Sequence, residues 1–163
     1  MTDGPDLRVS RAAYLLGYAG LLPQVAAVML MAGGRVLGGE ANLLTPAGLI
    51  LAFTYGCIIL SFLGGMWWSI AMRREADQGY LLGIAVLPSL LTLVIVGWAA
   101  LSVFEDSRGV GPLIGLGVAI TATLLVDHHL VRTGEVPVGW MRLRAPLSLG
   151  LGGLTILAGV LAA

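Results

Sequence analysis

Residues 80–104 read YLLGIAVLPSLLTLVIVGWAALSVF, and no charged side chain interrupts them. A helix rises about 1.5 Å per residue, so about 20 apolar residues cross the roughly 30 Å of hydrocarbon in a bilayer. In lipid the backbone of such a run must pair its own polar groups, which it does as a helix. The run therefore predicts a transmembrane helix.

Four more stretches have the same character. With Tyr80–Phe104 they predict helices over Ala12–Gly34, Pro46–Met72, Gly111–Val131 and Ala145–Ala163. Hydrophobic residues make up 58% of the chain and charged residues 11%, which is typical of a protein that lies mostly in lipid. We predict an all-α integral membrane protein with five transmembrane helices in one bundle, forming a single domain over residues 1–163.

The basic residues are unevenly distributed between the predicted loops. All nine are arginine, and seven fall in segments that share one side of the membrane. These seven are Arg8, Arg11, Arg73, Arg74, Arg132, Arg142 and Arg144, whereas Arg35 and Arg108 lie on the other side. The positive-inside rule then predicts a cytoplasmic N-terminus and a C-terminus outside. We expect a multi-pass protein of the bacterial inner membrane, or of the mitochondrial inner membrane if the source is eukaryotic.

Two prolines fall inside predicted helices. Pro23 and Pro88 each remove a backbone hydrogen bond, which predicts kinks and free carbonyl groups. The polar residues near the kinks are Gln24, Thr54, Tyr55, Ser89 and Thr92. One interpretation is that they line a small, mostly apolar cavity for a lipid or hydrophobic ligand. The alternative is that they form hydrogen bonds between helices and leave no void.

Asp127 is the charged residue with the strongest need for a partner. Counted from Pro112 it lies about 15 residues along its helix, or roughly 22 Å into a core about 30 Å thick. A carboxylate at that depth usually faces the bundle interior and pairs. Its candidate partners are the arginines of the same side, Arg73, Arg74, Arg142 and Arg144, with Trp140 beside them. We expect either an ion pair that holds helix ends together or a site for an anionic headgroup.

Other chemistry has little support in the sequence. His128 and His129 follow Asp127, but consecutive side chains diverge on a helix and do not point at one metal ion. We therefore expect no metal site, no cofactor and no catalytic residue, since the chain has no phosphate-binding loop or nucleophile motif. Its small basic surface next to the membrane also argues against nucleic-acid binding.

Several motifs resemble those of a known family. They are LGYAGLLP (Leu16–Pro23), SFLGGMWW (Ser61–Trp68), LPS (Leu87–Ser89), Asp127 in a basic helix end, and WMRLRAPL (Trp140–Leu147). The sequence is similar to the five-helix family known as domain of unknown function 3429, which includes transmembrane protein 69. The resemblance implies the five-helix fold and names no activity. The family pattern has a histidine where this chain has Trp67, so no role of that histidine carries over.

Two functions remain open. The first is a non-catalytic accessory subunit or assembly factor of a larger membrane complex, because the helices are rich in small residues and carry no charge near the membrane midplane. The second is a carrier or receptor for a lipid or hydrophobic small molecule, held between kinked helices. The expected partners are membrane lipids and other membrane protein subunits or a second copy of the chain.

Overall fold

The computed structural model describes residues 9–38, 43–104 and 110–163. Arg8 and Arg108, which entered the charge argument, lie outside these ranges. Within them the chain forms six α-helices. These are α1 (Arg11–Ala19), α2 (Leu22–Leu37), α3 (Leu44–Ala71), α4 (Gln78–Phe104), α5 (Val110–Arg132) and α6 (Trp140–Ala162).

The first predicted span consists of two helices, α1 and α2, separated at Gly20 and Leu21. Pro23 is the second residue of α2, where the missing N–H breaks no helical hydrogen bond. The Tyr55 hydroxyl of α3 donates to the Gly20 carbonyl, so a side chain supplies the partner that the break removes. The kink predicted at Pro23 is thus a break between helices, whereas α4 continues through Pro88.

Among the described residues, five helical segments are long and apolar enough to cross a membrane. They are Arg11–Leu37, Leu44–Ala71, Gln78–Ser102, Val110–Arg132 and Trp140–Ala162. The all-α, five-span architecture is confirmed, and the protein is of the multi-pass membrane class. One predicted boundary is wrong, because α6 begins at Trp140 and not at Ala145. Arg142 is exposed at the helix end and Arg144 is paired, so neither arginine interrupts the helix.

Glycines bring the helices close together. A Cβ atom on Gly117 of α5 would lie 2.6 Å from the Gly152 carbonyl oxygen of α6, and one on Gly48 of α3 would lie 2.6 Å from the Ala27 carbonyl oxygen of α2. These distances are below van der Waals contact, so any side chain would push the backbones apart. The close approach therefore packs α5 against α6 and α2 against α3.

The core is divided into layers along the bundle axis. One layer lies at the end of the bundle where α5 ends and α6 begins, and it includes Trp67, Leu81 and Leu130. The middle layer includes Leu60, Leu116 and Ile120. Met31, Leu113 and Ala158 form part of the layer at the opposite end. Polar side chains that enter the first two layers therefore have apolar neighbours and need partners of their own.

Candidate functional site

A buried carboxylate joins three helices. Asp127 of α5 is 0% exposed and accepts three hydrogen bonds from side chains. Trp67 Nε1 of α3 donates to Oδ1 at 3.1 Å, and Trp140 Nε1 of α6 donates to the same oxygen at 3.3 Å. Arg144 Nε of α6 donates to Oδ2 at 2.8 Å and forms a salt bridge with it. We call these four residues the Asp127 cluster.

Helix geometry explains why the cluster forms here. Asp127 stands just over one turn before the end of α5, and Trp67 stands about one turn before the end of α3. Trp140 and Arg144 are four residues apart on α6, so they share one face of its first turns. The chain enters α6 through Gly139, whose φ of 89° lies in the left-handed region that a side chain disfavours. Glycine at this position therefore allows the turn after which the Trp140 and Arg144 face of α6 packs against α5.

The cluster satisfies the carboxylate in an environment with little water. Moving two charges out of water is costly, and their attraction offsets the cost only when further hydrogen bonds satisfy the ions. The two indole N–H groups supply such bonds to Asp127 without adding charge. The cluster is therefore an electrically neutral unit in which both carboxylate oxygens are hydrogen-bonded.

The donor side of the same ion pair is not fully occupied. Arg144 is 7% exposed, and its Nη2 has no hydrogen-bond partner within the described ranges. Ser148, one turn further along α6, is 2% exposed, and its Oγ is likewise without a partner among residues that the structure describes. A guanidinium carries five N–H donors in a planar fork, so bonding through Nε leaves others directed elsewhere. Both groups lie on the α6 face that continues from Trp140.

Arg144 and Ser148 line a cavity of about 200 Å³. We call it the Arg144 cavity. Its walls come from the break between α1 and α2, from α3 and from α6, and include Gly17, Gly20, Tyr55, Ile59, Leu147 and Leu151. Leu16 and Phe62 also line it and are exposed on the outer surface of the bundle, so the cavity opens toward the membrane. For comparison, an engineered protein cavity of about 150 Å³ binds benzene.

A second cleft is larger and chemically different. It has a volume of about 470 Å³ and lies between α3, α4 and α5, with Trp67, Pro88 and Val94 among its lining residues. The hydroxyl that lines it belongs to Thr123, which donates to the Ile120 carbonyl at 2.6 Å. The lining of this cleft is therefore mostly hydrocarbon, whereas the lining of the Arg144 cavity includes Arg144, Ser148 and Tyr55.

The five residues predicted to line a cavity have different surroundings. Tyr55 lines the Arg144 cavity, but Thr54 and Ser89 are exposed. Gln24 Nε2 of α2 donates to Thr155 Oγ1 of α6 at 2.9 Å, which is the interhelical bond of the alternative interpretation.

Thr92 likewise bonds within and between helices. Its hydroxyl donates to the Pro88 carbonyl at 2.8 Å and accepts from Ser61 Oγ of α3 at 3.3 Å. Of the polar residues near the two prolines, Tyr55 alone therefore contributes to a described cavity.

The arginines predicted at this end separate into different environments. Arg144 is the one that pairs with Asp127, whereas Arg73 and Arg142 are exposed. Arg74 pairs with Glu135 in the connection between α5 and α6, through Nε to Oε2 at 2.6 Å and Nη2 to Oε1 at 2.7 Å. The hydrogen bonds from Arg74 lower the pKa of the Glu135 carboxyl, although burial opposes the shift.

The two histidines stay apart from the cluster. His128 and His129 are exposed on α5. Among the described residues, no three or more His, Cys, Asp or Glu side chains lie together where they could hold a metal ion.

Two functional residues were missed by the sequence argument. Trp67 received no role in the sequence analysis, yet it is 2% exposed and donates a hydrogen bond to Asp127. Ser148 received no role, because a serine in an apolar helix usually bonds to its own backbone. The signal was the spacing of Trp140, Arg144 and Ser148, which recur every four residues and so form a polar stripe on α6.

The fold and the site define the class of protein. It is a multi-pass helical membrane protein with a buried, neutral charge cluster and a cavity that has polar residues in its wall. The chain belongs to the family described as Protein of unknown function (DUF3429), whose model matches residues 9–161. The family resemblance is confirmed, and the likeness to transmembrane protein 69 in particular stays a prediction. No curated protein and no solved structure matches the chain.

Proposed function

We propose that this protein is a non-catalytic carrier or receptor that binds a membrane-soluble amphiphile in the Arg144 cavity. One observation carries the proposal: Arg144 and Ser148 line one cavity, and each has a buried polar atom, Nη2 and Oγ respectively, with no partner among the described side chains and backbone. Buried polar groups nearly always have partners, and each exception needs an explanation. A bound ligand that accepts hydrogen bonds satisfies both groups at once.

The position of the opening supports entry from the membrane. Leu16 and Phe62 are 75% and 59% exposed and stand at the cavity wall. Both side chains are apolar, so a hydrophobic tail passing between them stays in contact with hydrocarbon while the polar end reaches Arg144. This arrangement of an apolar mouth and a few convergent polar groups is typical of small-molecule sites.

The chemistry of the cavity favours binding over catalysis. Ser148 Oγ has no hydrogen-bond partner in the described part of the chain, so no neighbouring base activates it as a nucleophile. The Tyr55 hydroxyl donates its proton to the Gly20 carbonyl. We therefore propose no enzymatic step, no metal and no cofactor for this site.

We place the Asp127 cluster toward the cytoplasm of a bacterial inner membrane, or toward the matrix of a mitochondrial one. The arginine distribution supports this orientation, since Arg11, Arg73, Arg74 and Arg142 lie at the same end of the bundle as the cluster. The exposed Arg73 and Arg142 suit contact with anionic lipid headgroups at that surface.

The second candidate function is an accessory subunit or assembly factor. Gly117, Gly152 and other glycines of α5 and α6 pack inside the bundle and are not available to a partner. Gly79 and Gly83 of α4 form an exposed GxxxG pair, and a Cβ on either would meet no described atom within 4 Å. Such a pair lets a helix from another subunit approach closely.

Native mass spectrometry of protein in nanodiscs distinguishes the two candidates. We expect the wild type to retain one small molecule per chain and the Ser148→Leu variant, whose side chain fills the cavity, to lose it. Ser89→Leu is the matched control, because Ser89 is an exposed serine of α4 outside both described cavities. A stoichiometric protein partner with no small molecule, lost on Gly83→Leu substitution, would instead establish the accessory function.

A further inference from the structure

We infer that the ligand of the Arg144 cavity carries an uncharged, carbonyl-type head and not an anionic one. The inference rests on the proposed function and specifies the chemistry of the same site. It starts from which hydrogen bonds the cavity offers. Arg144 Nη2 is a donor without acceptor capacity, and Ser148 Oγ has a proton to give. The ligand must therefore present an acceptor oxygen to this end of the cavity.

Tyr55 does not change this requirement. Its hydroxyl proton is already donated to the Gly20 carbonyl, so a further bond to Tyr55 would need a donor on the ligand. The need for an acceptor comes from Arg144 and Ser148, which lie one turn apart on α6. A carbonyl oxygen has two lone pairs, which is the acceptor capacity that two such donors require.

The charge balance then decides against an anion. The positive charge of Arg144 is already compensated by Asp127, which bonds to Nε at 2.8 Å and is 0% exposed. The other residues that line the cavity are uncharged, so the site with its cluster is neutral overall. A carboxylate or phosphate would bring an unbalanced negative charge into an apolar region and place it near Asp127, both of which are unfavourable. A neutral acceptor avoids both of these unfavourable contributions.

The cavity size agrees with a small head. A volume of about 200 Å³ exceeds the roughly 150 Å³ that holds benzene, so one substituted ring or one ester group fits. The remainder of the molecule extends past Leu16 and Phe62 into the membrane. The ligand class is therefore a membrane-soluble molecule with a neutral carbonyl-bearing head, such as a quinone ring or an ester, and an apolar tail.

Two matched ligand pairs test the inference on the full-length protein in nanodiscs of neutral lipid. The first pair is methyl myristate and myristate at about pH 9, where the free carboxyl is ionised and the chains are identical. The second pair is a decyl benzoquinone and decylbenzene, which differ in the carbonyl groups. Occupancy is read by native mass spectrometry, and Ser148→Leu defines the level of binding outside the cavity.

We expect methyl myristate to bind at least about tenfold more tightly than myristate, and the quinone more tightly than decylbenzene. Ser148→Ala removes one donor whose oxygen has no partner in the described protein, so folding is preserved while the affinity for both carbonyl ligands falls about fivefold. Ser89→Ala should leave every affinity unchanged, and decylbenzene should not respond to Ser148→Ala.

The results separate the inference from the proposed function. Myristate binding as tightly as its ester, or more tightly, with loss of both in Ser148→Leu, would overturn the neutral-head inference and leave an amphiphile-binding cavity. Equal binding of the quinone and decylbenzene would also overturn it, because the carbonyl would then contribute nothing. Binding that is the same in the wild type and Ser148→Leu for all four molecules would reject the proposed function itself.

Discussion

Two ion pairs lie at the same end of the bundle and use arginine differently. Arg74 and Glu135 are 21% and 20% exposed, and the guanidinium bonds to the carboxylate through two nitrogens. The side chains of Arg144 and Asp127 are 9% and 0% exposed, and the guanidinium bonds to the carboxylate through Nε. In the outer pair the fork of the arginine is matched to its carboxylate, and Thr133 adds a further bond to Glu135.

In the inner pair, the carboxylate and the guanidinium differ in how many of their hydrogen bonds are made. Two tryptophans donate further hydrogen bonds to Asp127, whereas Arg144 lines a cavity and its Nη2 has no partner among the described residues. The outer pair is a solvent-accessible ion pair, and such pairs contribute little to stability. The buried pair holds the Arg144 cation in apolar surroundings, and not all of its N–H donors have a partner among the described residues. Because of this difference we propose a binding role for Arg144 and not for the exposed arginines.

The largest effect is expected from Asp127→Asn. The substitution keeps the side-chain shape but leaves Arg144 as a buried, uncompensated charge, which costs about 3–5 kcal/mol of unfolding free energy. The measurement is SDS-driven unfolding of the protein in bicelles. Glu135→Gln is the matched control on the outer pair. Equal losses for the two variants would mean that burial does not distinguish the pairs.

Removal of the indole donors should have intermediate effects. Trp67→Phe takes away a buried hydrogen bond of 3.1 Å to an ionised group, with an expected loss of about 1.5–3 kcal/mol. Trp140→Phe removes a longer bond of 3.3 Å from a partly buried residue, so its cost should be smaller. The same unfolding assay ranks them. The reverse order would show that α6, and not α3, provides the main support of Asp127.

Glu135→Gln should have a small effect on stability. An ion pair that water reaches typically contributes about 0.5–1 kcal/mol, and salt screens it. We expect the difference between this variant and the wild type to shrink as sodium chloride is raised. The difference for Asp127→Asn should stay constant over the same range, because lipid and protein shield the inner pair from ions. A salt-independent effect of Glu135→Gln would place that pair in the buried class.

The smallest effect is a pH dependence of the outer pair. Because Arg74 lowers the pKa of Glu135 in the folded state, the unfolded state takes up a proton first as the pH falls. The contribution of the pair is therefore complete above the ordinary glutamate pKa of about 4.3 and is lost as the pH falls through the lower folded value. Comparing wild type with Glu135→Gln from about pH 6 to pH 3 isolates this contribution. A difference that grew on acidification would contradict the assigned direction.

Local sequence properties predicted the architecture well. Apolar run length alone placed five spans, because every helix in lipid must be apolar along its whole length. Pro23 predicted an interruption of the first span, since a proline cannot continue a helix without losing a backbone bond. The start of α6 was misplaced because Arg142 and Arg144 were treated as loop residues, although arginines at a helix end can be exposed or paired.

The site was only partly within reach of the sequence. Depth in the bilayer required a partner for Asp127 and restricted it to four arginines, but the choice of Arg144 depended on which helix face meets α5. The same is true of Gln24, Thr54, Ser89 and Thr92, whose polar character was evident but whose neighbours were not. Side chains near a proline do not have to face one another, because each direction is set by the rotation of its own helix.

The sequence by itself determined the solvent of this protein, the number of its spans, the interruption at Pro23 and the need of Asp127 for a positive partner. These follow from hydropathy, helix geometry and the cost of charge in lipid, which act within one segment. The tertiary structure decided that Trp67 and Trp140 donate hydrogen bonds to Asp127 and that Arg144 and Ser148 line one cavity. Those outcomes depend on how α1, α3, α5 and α6 pack, because hydrogen bonds act over about 3 Å between residues far apart in the chain.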